Sequence, residues 1–251
     1  MKKNNIYRGL FYAFGLLVLA LGITLNTKAG LGVSPIISVS YSISTILNTN
    51  FGNMTLILYS TFVVIEMVLH TREHLLEKKK KEAEKTDGDS GTIKRSLKVI
   101  LLKDALQFPL SLIFTRFMNI FVYAIPAYDS PGVSGFYSSF PGRIVTLIIA
   151  ITLTGIGAAV SLNMRLIPNP GDGIVQAISD CIEKSVGFTK NCFDLFNITL
   201  TTCVGLIFAG RLIGIGIGTV IAVIGVGRVI AVFNHFFKKK MAILAGVDNW
   251  K

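Results

Sequence analysis

Between two long apolar runs lies Pro168-Asn169-Pro170-Gly171-Asp172-Gly173, a stretch that no helix can carry in its middle. Proline has no N–H to donate, and its ring clashes with the preceding turn. The residue before each proline is pushed toward extended backbone. In a bilayer, irregular backbone is tolerated only where it is buried in protein or lines a wet cavity. After Gly173 the pattern predicts a helix to about residue 184, capped by Gly187. Asn169, Asp172, Gln176, Ser179, Asp180 and Glu183 recur at spacings of three and four and share one face. Ile174, Val175, Ala177, Ile178 and Ile182 form the other. The segment is too short and too polar for an ordinary membrane span.

The broken stretch has a counterpart 135 positions earlier. Leu31, Pro35, Ile43, Ser44 and Gly52 fall on Leu166, Pro170, Ile178, Ser179 and Gly187, and the same shift puts Arg8 on Arg143 and Gly22 on Gly157. Seven identities over residues 8–52 exceed the roughly three that composition alone would give. The kind of residue matched says more than the number: paired helix breakers, and an arginine opening each preceding apolar run. The expectation is an internal repeat, 8–70 on 143–205.

Hydrophobic residues make up 51% of the chain and charged residues 16%, with a mean hydropathy of +0.62. In several long apolar runs, that composition reads as an all-α polytopic membrane protein. Its first partner is the lipid bilayer. The net charge of +11 gathers at the N-terminus, in residues 71–98 and at the C-terminus, which is how membrane topology is encoded. Nucleic acid is not expected as a partner, because the basic loop has no aromatic side chains for stacking. Cys181, Cys192 and Cys203 have no CxxC or zinc spacing and read as buried small residues. His70, His74 and His235 lie at membrane borders without an HExxH pattern. No cofactor, no metal site and no enzymatic activity are expected, since no nucleophile–base pair is apparent.

Apolar runs cover 9–25, 54–69, 99–125, 144–160, 192–209 and 212–233, with a short Ser/Thr-rich helix over 36–48. The first run, behind Lys2, Lys3 and Arg8, has the look of a signal peptide. Its internal counterpart at 143–160 favours a retained span. Residues 71–98 read as a solvated loop with a flexible centre at 87–91. The loop 126–142 has no lysine or arginine and should be external. Six spans and two re-entrant short helices put every basic segment inside. The alternative of eight spanning helices would place the four lysines 78–81 outside. The chain then divides into a first membrane repeat, 1–125, carrying the cytoplasmic loop 71–98, and a second, 126–251, with a basic cytoplasmic tail. Termini are expected in the cytoplasm and the halves inverted, an arrangement in which paired broken helices mark a transport site.

The N-terminus of a half-helix carries unpaired N–H donors and a partial positive charge. Two such ends near the midplane would favour an anion or a carbonyl-rich solute. The expected substrate-binding residues are Ser34, Ser38, Asn169, Asp172 and Gln176, lining a polar cavity between Pro35 and Pro170. Asp172 complicates this set, because it serves equally as a first-turn acid that neutralises its own helix end or as a cation- or proton-binding group. Arg116 and Arg228 sit inside apolar runs, and snorkelling is the simpler reading. Lys103 and Asp104 read as interfacial. Gly210, Gly214 and Gly218 repeat at four, the pattern of close helix packing.

Leu31-Gly32-Val33-Ser34-Pro35, the 168–173 stretch and Gly214-Ile215-Gly216-Ile217-Gly218-Thr219 together resemble the bacterial integral membrane family of YczE/YyaS/YitT type. The resemblance spans residues 8–240 and implies a cell-membrane protein. It supplies no catalytic residues. The expected function is a permease for a small solute or ion. The alternative is a non-transporting membrane sensor or assembly partner using the 71–98 loop, and an oligomer fits either.

Overall fold

The computed structural model describes residues 2–83 and 97–247; the centre of the 71–98 loop, at 87–91, lies outside them. Eight helices make up the described fold: α1 Lys2–Lys28, α2 Pro35–Ile46, α3 Phe51–Ala83, α4 Leu97–Ala124, α5 Phe140–Asn163, α6 Pro170–Ile182, α7 Val186–Ala209 and α8 Ile217–Ala245. Five of them, α1, α3, α5, α7 and α8, are long and apolar enough to cross a membrane. The 28 residues of α4 have the length but carry Lys103, Asp104, Gln107 and Arg116. With 12 and 13 residues, α2 and α6 reach about 18–20 Å at 1.5 Å per residue. That falls short of a hydrocarbon core about 30 Å thick.

The same backbone steps recur 135 residues on. The first long helix of each set ends at Lys28 or Asn163. A left-handed residue follows at Gly30 or Arg165. A polar residue, Ser34 or Asn169, then precedes a helix whose first residue is proline. Another left-handed residue, Asn48 or Glu183, closes the short helix, and the next helix begins at Phe51 or Val186. The left-handed geometry of Glu183 (φ 53°) ends α6, so the expected cap Gly187 instead falls in the first turn of α7. Ser185, whose side chain accepts from the Phe188 N–H, starts α7 six residues before the expected Cys192.

The centre of the fold is the crossing of α1 and α5, where glycines bring two backbones together. A Cβ at Gly22 would fall 2.5 Å from the Thr154 nitrogen, and one at Gly157 would fall 2.4 Å from the Leu19 nitrogen. Gly15 meets Ser161, so rising numbers on α1 meet falling numbers on α5 and the two helices run antiparallel. Around this pair, α2 packs on α7 and α6 packs on α3, while α4 lies against α3 and α1, and α8 against α5. The main core joins Leu19, Ile23, Ile37, Tyr59, Phe114 and Ile174, which come from five helices, α1, α2, α3, α4 and α6.

Three expectations are corrected by the packing. Cys192 and Cys203 are exposed and Cys181 is half-buried, because the outer faces of membrane helices are themselves apolar and do not mark a core. Gly210, Gly214 and Gly218 do not form a helix stripe. Gly210 caps α7, Gly214 has a positive φ in the linker, and the Gly218 N–H donates to the Leu31 carbonyl at 2.7 Å. Asp104 does not face outward as an interfacial charge would but is buried in the protein, 3% exposed. Arg116 and Arg228 are exposed on the outer surface, where long side chains extend toward the headgroups.

Candidate functional site

Each broken stretch is held by an arginine from the other half of the chain. Arg8 donates from Nε to the Met164 carbonyl at 2.7 Å and from Nη2 to the Arg165 carbonyl at 2.9 Å. Arg143 donates from Nε to the Ala29 carbonyl at 2.9 Å and from Nη2 to the Gly30 carbonyl at 2.6 Å. Both donors and both pairs of acceptors match at the 135-residue shift. The carbonyls after a helix end have no intrahelical partner, and a guanidinium fork satisfies two at once. One turn along α1, the Tyr12 hydroxyl donates to the Ile167 carbonyl at 2.7 Å, so the second stretch climbs beside α1 before α6 begins.

The two short helices meet at their first turns. The Ile36 side chain lies against Gly171, where a Cβ would come within 2.8 Å of Ile36 Cδ1. Pro35 and Pro170 therefore flank an apolar contact, and the ends touch rather than face each other across a polar cavity. A groove with a volume of about 740 Å³ lies on the outer face of α3, beside Val64, Val68, Arg72 and Leu75.

The predicted site residues separate into two environments. Asn169 is buried; its side chain accepts from the Gly171 N–H at 3.2 Å, and its carbonyl accepts from the N–H groups of Asp172 and Gly173 at 2.8 Å. The donors of the first turn of α6 are thus taken by its own cap, against the expectation of a helix end open to an anion. Asp172 is half-buried, within electrostatic range of Lys190 and Asp194 on α7, which themselves pair at 3.2 Å. Gln176 is exposed and donates to Asp180 at 2.9 Å, so it does not join the junction. Ser34 is half-buried and makes no side-chain cap. Ser38 is fully buried, 2.7 Å from the Thr201 hydroxyl.

A second group, absent from the predicted set, lies against α6. Gln107 Nε2 donates to Glu66 Oε1 at 2.8 Å, and His70 Nδ1 lies 2.8 Å from Asp104 Oδ2. A Cβ at Gly173 would meet Glu66 Oε2 at 2.6 Å and Gln107 Oε1 at 3.0 Å. The carboxyl of Glu66 thereby occupies the place at a helix N-terminus where an anion would otherwise bind. The sequence signal for this group is present: Glu66 and His70 are four apart on α3, and Asp104 and Gln107 three apart on α4. Polar side chains at those spacings within spans face the protein interior.

The comparisons with known proteins give family without function. The chain is similar to an uncharacterized protein, YyaS, from Bacillus subtilis (strain 168), with 23% identity over 235 residues, covering 92% of this chain and 96% of that protein. No solved structure matches. A family model matches residues 6–78 and 93–235, covering the α1–α3 unit and nearly all of the remaining helices, and the chain therefore belongs to the family of unknown function DUF6198.

Proposed function

We propose that the protein is a secondary transporter or channel-like permease for a small solute or ion, working where α2 and α6 meet. The observation that carries this reading is the contact of Ile36 with Gly171. These two positions are each other's counterparts in the repeat, so the contact lies on the axis relating the halves. The arginine clamps lie symmetrically about it. An axis that exchanges antiparallel α1 and α5 runs perpendicular to them, hence in the membrane plane. The two sets α1–α3 and α5–α7 are then inverted repeats, with α2 entering from one side and α6 from the other. That is the arrangement in which alternating access works around a fixed midplane site.

With α4 as the sixth crossing, the termini and residues 71–98 lie on the cytoplasmic side of the cell membrane, as their lysines and arginines favour. A cysteine placed at Ser90 should stay unlabelled by an impermeant reagent in intact cells. Labelling there would rule out this topology in favour of eight spanning helices.

The chemistry at the junction favours a solute that brings positive charge or hydrogen-bond donors. The first turn of α6 has spent its donors, and two acids, Asp172 and Glu66, lie along it. On the α2 side Ser34 offers a hydroxyl with no cap bond, while that of Ser38 is held by the Pro35 carbonyl and Thr201. In this reading Asp172 is the ion-linked group, and no chemical step is involved. Flux into proteoliposomes across a panel of small cations, anions and neutral metabolites tests it. Accumulation should appear with the native chain and be lost in Asp172→Asn, which folds comparably because the amide has the carboxylate's size and shape and the cap is made by Asn169. Transport by Asp172→Asn at the native rate and pH dependence would leave Asp172 structural, and no flux with any solute would overturn the reading.

A further inference from the structure

We propose that Glu66, His70, Asp104 and Gln107 bind one divalent transition-metal cation beside the first turn of α6. Three of these residues each bring one ligand atom to within 4.8 Å of the others. Around an ion with bonds of about 2.0–2.2 Å, ligand atoms lie about 3–4 Å apart. His70 Nδ1 and Asp104 Oδ2, hydrogen-bonded at 2.8 Å, need to part by only a few tenths of an ångström to reach that spacing. Movements within the reach of a side-chain rotation bring in Glu66.

A cluster of acids would not by itself define a site. Here two further atoms require a ligand. Glu66 Oε2 and Gln107 Oε1 are fully buried acceptors with no hydrogen-bond partner among the described residues. Glu66 is 2% exposed and Gln107 is 0% exposed. Both atoms converge on Gly173, 2.6 and 3.0 Å from where a Cβ would be, so only a glycine there leaves them room. Buried polar atoms are normally satisfied, and the only satisfying species for two converging acceptors is a donor or a cation.

The charges select the cation. Two carboxyl groups lie close together in a low-dielectric setting, and the Gln107 amide N–H is already given to Glu66. An imidazole nitrogen, two carboxylates and an amide oxygen suit manganese or zinc better than a soft metal, which prefers thiolate. No cysteine belongs to the group. His70, with 17% of its side chain exposed against 5% for Asp104, forms the open edge by which an ion enters. The inference does not rest on transport, since it concerns equilibrium binding alone.

The test uses the full chain without an affinity tag, reconstituted in lipid nanodiscs and stripped with a chelator. Equilibrium dialysis against Zn²⁺ or Mn²⁺, read by elemental analysis, should show one saturable ion per chain. Binding should weaken at least tenfold in Glu66→Gln and in His70→Ala, and stay unchanged in His235→Gln. Gly173→Ala, which fills the space facing the orphaned acceptors, should weaken it as well. Absence of saturable binding to the native chain overturns the proposal without any variant being needed. So does binding that Glu66→Gln and His70→Ala both leave intact. A bound ion with no flux would sink the transport reading and leave this one standing; flux without a bound ion would do the reverse.

Discussion

Hydroxyl groups surround the start of α2, and acids surround the start of α6, although the two helices repeat the same backbone. Ser38 on α2 meets Thr201 on α7 at 2.7 Å. Their counterparts are Gly173 on α6 and Glu66 on α3, which meet in the same way with a carboxyl in place of a hydroxyl. Ser40 pairs with Thr55 at 3.1 Å, where the other half has Val175 and Lys190. Tyr59, buried in the core, stands where Asp194 stands in α7. A buried hydroxyl is cheaply satisfied by the carbonyl one turn back, as Ser38, Ser40 and Thr55 are. A buried carboxylate needs a paired charge or several donors. The repeat thus fixes where the chain breaks, and the chemistry is concentrated in the half able to hold charge.

If the scaffold is symmetric while the chemistry is not, scaffold substitutions should hurt both halves alike. The largest effect belongs to the α1–α5 crossing. Gly22→Leu and Gly157→Leu each push a side chain into the partner's backbone, which cannot rotate away. Each should cost more than the roughly 1–3 kcal/mol usual for overpacking. Neither variant should yield monodisperse protein by size exclusion in detergent. Tolerance of one but not the other would break the symmetry of the crossing.

The arginines come next. Removing Arg8 or Arg143 leaves two carbonyls without their charged donor, and hydrogen bonds to charged groups are worth about 1.5–3 kcal/mol each. Because one bond in each clamp is exposed, about 2–3 kcal/mol in total is expected for Arg8→Met. Arg143 also stacks 3.8 Å above the Tyr128 ring, a contact worth about 0.5–1 kcal/mol. Arg143→Met should therefore unfold at lower denaturant than Arg8→Met, and the gap should close in a Tyr128→Leu background. Equal midpoints with Tyr128 present would mean that the stacking contributes nothing.

What the sequence revealed follows the same division. Prolines and glycines report on backbone, and they gave the two short helices, the 135-residue shift and the clamping arginines as matched positions. Partners across helices leave no such mark. Glu66 and Gln107 are 41 residues apart, and their bond follows from how α3 and α4 pack rather than from either segment. The spacings within each helix were visible, but Asp104 read as interfacial and His70 as a residue of the membrane border. Apolarity misled in the opposite way: Cys192 and Cys203 have apolar neighbours in sequence and yet face outward, because in a bilayer an apolar environment lies on both sides of a helix. The start of α7 was missed because Ser185 closes it with its side chain, while Gly187 two residues later looked like a stop.

The smallest expected effect makes the finest comparison between the two ends. Ser34 and Asn169 are counterparts, and each precedes a proline. The Asn169 side chain accepts from the Gly171 N–H, whereas the Ser34 side chain makes no cap hydrogen bond. Loss of a working N-cap costs about 1 kcal/mol. Asn169→Ala should therefore lower stability by about that amount, and Ser34→Ala by only a few tenths, the usual scale for a position without such a role. The two costs should add in the double variant if the short helices break independently, since the caps share no partner. Equal costs at both positions would mean that Ser34 does cap α2, and the difference between the two ends would then lie in their surroundings alone. If instead Ser34→Ala leaves stability untouched but slows flux, the hydroxyl is held free for the solute. The unpaired end of α2 and the acid-lined end of α6 would then be the donor and the acceptor sides of one site.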